Sequence, residues 1–115
     1  MTRLKTRADF LKAQKGVRRV TPSLTLEACA GPAAELRVGF TATRKLGNAV
    51  HRNRAKRRLR AAAAAILPAS GRAGRDYVLV ARPGTLERPF ASLLSDLAAA
   101  VAAAHLRLDA SGETS

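Results

Sequence analysis

Between Glu35 and Asp76 lie 40 residues without a carboxylate, and they hold eleven cations: Arg37, Arg44, Lys45, Arg52, Arg54, Lys56, Arg57, Arg58, Arg60, Arg72 and Arg75. A merely solvated helix face would intersperse acids, because like charges at i,i+4 repel. A segment of one sign is instead built for a polyanion. Arginine outnumbers lysine 16 to 5, and the guanidinium fork suits bidentate phosphate contact and stacking on bases, so nucleic acid fits better than a diffuse membrane surface. The residue types needed for protein-based hydrolysis are scattered. Asp76, Glu87, Asp96 and Asp109 are dispersed, and His51 and His105 fall on different predicted helices. A metal-dependent nuclease needs clustered carboxylates or a His pair. Cys29 is the only cysteine, so neither an internal disulfide nor a cysteine-based zinc site can form, and a reducing, cytoplasmic setting is the expectation.

The cations must be positioned by regular elements. Residues 6–15 read as a short helix, with Phe10 and Gln14 on one face and Gly16 as its stop. Residues 17–30 read as one extended stretch. Its best alternation is Leu24-Thr25-Leu26-Glu27-Ala28, and Pro22 places it at an edge or a strand start. Residues 35–43 alternate Leu36, Val38, Phe40 and Ala42 against Arg37, Gly39, Thr41 and Thr43, the pattern of a half-buried strand. Asn48 is a natural N-cap for a helix over 49–67, in which Ala55, Leu59, Ala62 and Ile66 form the apolar stripe and Pro68 ends the pattern. Arg52, Lys56 and Arg60 flank that stripe. Cations in a first helical turn oppose the macrodipole, at ~0.3–1 kcal/mol each, so stability alone would place acids there; an anion site explains them. Residues 76–82 form a nearly continuous apolar strand, expected to be central and covered on both faces. A Pro83-Gly84 turn leads to a second long helix over 90–108, and Phe40 and Phe90 read as core.

The chain has 115 residues and a formal net charge of +13. Apolar residues make up 47%, but 25 positions are alanine, which leaves a core for one small domain and no deep enclosed pocket. The element order α-β-β-α-β-α gives an α+β class: a single compact α/β sandwich with a small mixed sheet and helices packed on it. Residues 1–108 are expected to form one nucleic-acid-binding domain, and residues 109–115 a polar, fraying C-terminal tail. The start Met1-Thr2-Arg3-Leu4-Lys5 has no apolar run behind it, as a signal peptide would, and the alanine-rich helices carry too few large side chains for a membrane span.

The run from Arg37 to Arg60, with Asn48-Ala49-Val50-x-Arg52-Asn53-Arg54-x-Lys56-Arg57 at its heart, closely resembles the signature of the bacterial ribonuclease P protein component. The Asp9-Phe10 helix, the Asp76-Tyr77 strand ending in Ala81-Arg82, and the Phe90 helix sit where that family has them. The resemblance implies a left-handed βαβ crossover. It also implies two RNA partners, the catalytic RNA of ribonuclease P and precursor tRNA, with no membrane and no protein partner required. The holoenzyme removes the 5′ leader by Mg²⁺-dependent phosphodiester hydrolysis. The Mg²⁺ is bound mainly by the RNA subunit and substrate, and no catalytic or metal-binding residue lies in the protein. Carried over by position, Phe10, Leu24, Leu26, Thr41, Thr43, Arg44 and Lys45 bind the leader. Arg52, Asn53, Arg54, Lys56, Arg57, Arg58 and Arg60 bind the RNA subunit.

Two departures stand out. Gln14 occupies a position where many members carry a second aromatic, and Arg58 one that is often apolar. Stacking contributes about 1–3 kcal/mol per aromatic, so leader binding leans here on charge. A ribosomal-type structural RNA-binding protein would share the size and charge, and a DNA-binding module could use the basic helix. The motif with its preceding strand favours ribonuclease P.

Overall fold

The computed structural model describes residues 1–32 and 34–112. Its elements are β1 (Thr2–Arg3), α1 (Arg7–Gln14), β2 (Val17–Val20), β3 (Leu24–Ala30), β4 (Arg37–Thr41), a 3-10 turn (Arg44–Leu46), α2 (Ala49–Ser70), β5 (Arg75–Ala81), α3 (Pro83–Glu87) and α4 (Phe90–Gly112). One mixed sheet runs β1-β4-β5-β3-β2. β4 and β5 are parallel neighbours joined through α2, a βαβ unit, while β3 lies antiparallel to β5 and to β2. The α+β class read from the sequence is the class of the structure, and β5 is central as expected.

Alternation divides the sheet's faces. Leu24, Leu26, Ala28, Val38, Tyr77 and Leu79 point to one side and form the main core with Ala55, Leu59, Ala62, Leu67, Leu93, Leu97 and Val101 of α2 and α4. Those side chains lose nearly all contact with water, and each large one contributes ~1.5–3 kcal/mol by burial. The alanine run of α2 lets it approach closely: Ala62 and Ala63 are fully buried. On the opposite face a smaller cluster of Leu4, Ala13, Cys29 and Val78 receives α1, with Phe10 and Val80 packed at its edge. α1 covers only part of this face.

Several expected boundaries move. The stretch 17–30 is a hairpin, not one strand. Thr21 Oγ1 accepts from the Leu24 amide at 3.0 Å and the Ser23 amide at 3.2 Å, folding the chain at Pro22. α2 continues past Pro68 to Ser70. Proline there removes one backbone donor, but buried Leu67 and the Gly71 amide bonding to Leu67 O at 2.7 Å hold the last turn. The Pro83-Gly84 turn is α3, whose proline at the first helical position suits a helix start. β1 was not foreseen, since two residues carry no periodicity.

The polar tail is corrected in part: α4 continues through Gly112, and residues 113–115 lie outside the described residues. Tertiary contacts account for the added turn. Asp109 pairs with Arg72 at 2.6 Å and Arg75 at 3.7 Å. His105 Nε2 meets the Tyr77 hydroxyl at 2.6 Å, which accepts from the Arg72 amide at 3.0 Å. α4 is long and apolar enough to cross a membrane by length and composition alone. Here its Leu93, Leu97, Val101 and Ala104 stripe is buried in the main core.

Candidate nucleic-acid interface

A groove of about 630 Å³ runs between α1 and the uncovered part of the sheet. Its lining includes Lys5 and Arg7 ahead of and at the start of α1, Phe10 and Gln14 from α1, and Arg18, Glu27, Val78 and Val80 from the sheet floor. Thr41 and Thr43 close it on the β4 side. Phe10 lies directly over Gly39: a Cβ added there would sit 2.6 Å from the Phe10 ring. The absence of a side chain at that strand position is what lets the ring settle against the sheet.

α1 is held in place by its caps and by an ion-pair chain. Thr6 Oγ1 accepts from the Asp9 amide at 3.2 Å and donates to the Asp9 carboxylate at 2.9 Å. Arg37 bridges Asp9 at 3.2 Å and the fully buried Asp76 at 2.6 and 2.8 Å. The hydrogen bond from Thr6 and, after it, Arg37 hold the Asp9 carboxyl below its ordinary pKa.

The basic segment divides into structural and available cations. Arg37 is occupied as described, and Arg72 and Arg75 face Asp109. Arg58, expected to bind RNA, donates to the carbonyls of Leu86 at 3.2 Å and Arg88 at 2.7 Å. It ties α2 to the α3–α4 connection, which explains a cation where an apolar residue would otherwise pack. Arg44 and Lys45 are exposed on the 3-10 turn that follows Thr43. Gly47, at φ 136°, then swings the chain into α2, a backbone conformation that favours glycine. Asn48 caps α2 as expected: its Oδ1 accepts from the His51 amide at 3.1 Å and meets His51 Nδ1 at 2.9 Å. Arg52 and Lys56 are half-buried at the sides of the helix, while Asn53, Arg54, Arg57 and Arg60 are exposed. No acid occupies the first turn of α2. The Arg60 guanidinium lies 5.9 Å, and that of Arg3 5.8 Å, from the centre of the Phe40 ring.

The structure therefore brings Phe10, Thr41 and Thr43 into one groove, with Arg44 and Lys45 following at its β4 end. It does not bring Leu24 or Leu26 there. Both are fully buried on the opposite face against α2 and α4. The same alternation that marks them as a face sends Thr25 and Glu27 toward α1 instead. Lys5, Arg7, Arg18 and Glu27 were missed. Strand parity was the available signal for Glu27 and Arg18, which are register partners across β2 and β3. Phe90 is likewise not core: it is 40% exposed beside Arg54, Arg57 and Ala61.

A small α+β domain with a carboxylate-free basic helix and a cation-rimmed groove holding an aromatic is built as a nucleic-acid-binding protein. The match to the family model described as Ribonuclease P spans residues 1–105. The ribonuclease P protein component of Ruegeria pomeroyi is 52% identical over 106 residues, covering 89% of this chain and 85% of the relative. That of Paramagnetospirillum magneticum is 49% identical over 107 residues, covering 88% and 80%. Among solved structures, the ribonuclease P protein of Staphylococcus aureus superposes with a TM-score of 0.74 at 25% identity, covering 90% of this chain and 95% of that one. The Thermotoga maritima protein gives 0.71 at 25% identity, covering 84% and 92%. The chain belongs to the bacterial ribonuclease P protein family: it is a protein subunit of the tRNA-processing ribonucleoprotein.

Proposed function

We propose that the chain serves ribonuclease P through two separate RNA surfaces. The α1–sheet groove holds the single-stranded 5′ leader of precursor tRNA, with Phe10 against a base and Lys5, Arg7, Arg18, Arg44 and Lys45 near its phosphates. The α2 face of Arg52, Asn53, Arg54, Lys56, Arg57 and Arg60 docks on the catalytic RNA. The observation that carries this reading is the pairing of one groove, with an aromatic on its wall and cations along its rim, with a basic helix free of acids. Stacking tolerates any base and cations track the backbone, which suits a strand of variable sequence.

The chemistry is assigned to the RNA subunit. Among the described residues no three His, Cys, Asp or Glu side chains gather into a metal-binding group, so this chain's donors do not fit a Mg²⁺ cage. The Mg²⁺ that the holoenzyme is expected to use belongs in this reading to the RNA subunit and substrate. The protein's residues bind and orient; none abstracts a proton.

The test is cleavage of a precursor tRNA by ribonuclease P RNA at low Mg²⁺, with and without the protein, beside a protein-only control. The expected result is rescue by the protein and no cleavage by the protein alone. Lack of rescue, with tight binding to unrelated structured RNA, would support a ribosomal-type role instead.

A further inference from the structure

Among the described residues, Glu27 is the one acid lining the groove. It is 7% exposed, on β3 between Arg18 of β2 and Val78 of β5 in register. Burial raises its pKa above the ordinary carboxyl value, and the Arg18 charge opposes this only in part; no hydrogen bond to the protein relieves it. The stem is covered, while the carboxylate oxygens stay open to the groove.

The groove's other charged lining residues are Lys5, Arg7 and Arg18, all exposed. Phosphates of a bound strand are drawn to them and repelled from Glu27. A nucleotide that reaches the floor must therefore present its base there. The Phe10 ring and the Val78 and Val80 side chains offer apolar surface to the face of such a base. Its edge then meets the Glu27 carboxyl. An ionised carboxylate only accepts hydrogen bonds. Adenine, cytosine and guanine each offer an exocyclic amine to it. Uracil offers none, only its ring N3–H flanked on both sides by carbonyl oxygens that face the carboxylate unfavourably.

We propose that Glu27 reads the bound strand by accepting a hydrogen bond from the exocyclic amine of one base, so that the groove disfavours uracil at a single leader position. This rests on the groove being the leader site.

The experiment uses the reconstituted holoenzyme and precursor tRNAs in which each leader position carries each of the four bases, cleaved in competition. One leader position should show uracil disfavoured by about fivefold or more, within the range of one good base contact. Glu27→Gln supplies a donor for uracil O4 and should bring uracil to parity there, leaving the other positions unchanged. Glu27→Ala should flatten the preference as well. Both variants should fold, since each removes a charge that burial disfavours and no protein hydrogen bond holds, and melting curves check this. A uracil penalty that persists in both variants would overturn the proposal. So would variants that raise the Mg²⁺ requirement while leaving base preference intact, because the carboxyl would then serve a cation. If the wild-type holoenzyme binds leader-bearing and leaderless tRNA equally, the leader-site reading itself fails, a different result from leader binding without base preference.

Discussion

Replacing Arg37 with alanine should unseat α1 and destabilise the domain by ~3–5 kcal/mol, the cost of leaving a buried charge unpaired. The side chain of Asp76 has no exposed surface, and that of Arg37 has 15%. Two bonds, at 2.6 and 2.8 Å, join them in a bidentate pair between register partners on β4 and β5. Without Arg37 the Asp76 carboxylate keeps no salt-bridge partner among the described residues, and Gly31 packs so closely over it that a Cβ there would collide with the carboxylate. The Asp9 branch adds less, because that pair is partly solvated. For a domain stable by ~5–15 kcal/mol the loss is a large fraction. Urea unfolding followed by circular dichroism should show a midpoint lowered by about 1–5 M, given slopes of about 1–3 kcal/mol/M. Adding Asp76→Asn to the same chain should recover part of the loss, since a neutral amide tolerates that site better than an orphaned charge. A loss below about 1 kcal/mol, or a double variant no more stable than the single, would refute the reasoning.

Three further outcomes follow from individual contacts. Gly39→Ala should leave the fold intact but push the Phe10 ring off the sheet, given the 2.6 Å clash; fluorescence-detected affinity for leader-bearing tRNA should fall while that for mature tRNA holds. Arg58→Ala should lower the melting temperature by loosening the α3–α4 connection, whereas the salt dependence of RNA-subunit binding stays unchanged, because its guanidinium is spent on Leu86 and Arg88 carbonyls. Burial and, after it, the nearby Arg72 hold the His105 pKa below its ordinary 6.5. The folded state therefore resists protonating His105, and its stability contribution is full above that value and is lost as pH falls below it. The stability gap between the wild type and His105→Gln should narrow between pH about 7.5 and about 5; a gap that widens would contradict this.

Much of the fold was legible because its elements are long and periodic. The alternation from Leu36 to Ala42 and the stripe through Ala55, Leu59 and Ala62 each reported a face correctly. β1 and α3 were not legible, being too short for a period to show. The extent of α4 depended on Asp109 meeting Arg72 and Arg75, a contact between distant chain segments that no local pattern contains. The grouping of the candidate residues in space was legible on α2 and only half legible in the groove. Phe10, Thr41 and Thr43 do line it, but Leu24 and Leu26 lie on the other face and Glu27 takes their place, because a resemblance carries positions and not strand parity. Arg58 illustrates a related limit: charge in a sequence does not say whether it faces a phosphate or a backbone carbonyl.

The central claim is that two surfaces bind two RNAs independently. It is tested most directly by measuring two affinities for two variants: that of the protein for ribonuclease P RNA across a salt series, and that of the holoenzyme for leader-bearing against leaderless tRNA. Arg52→Ala combined with Arg57→Ala should weaken RNA-subunit binding and reduce its log–log salt slope by about 1.4–1.8, at roughly 0.7–0.9 per phosphate contact. Leader discrimination should survive in whatever holoenzyme forms. Phe10→Ala should do the reverse, cutting leader discrimination by at least about fivefold, one stacking contact, with the salt slope unchanged. Equal losses in both assays from either variant would contradict the two-surface account.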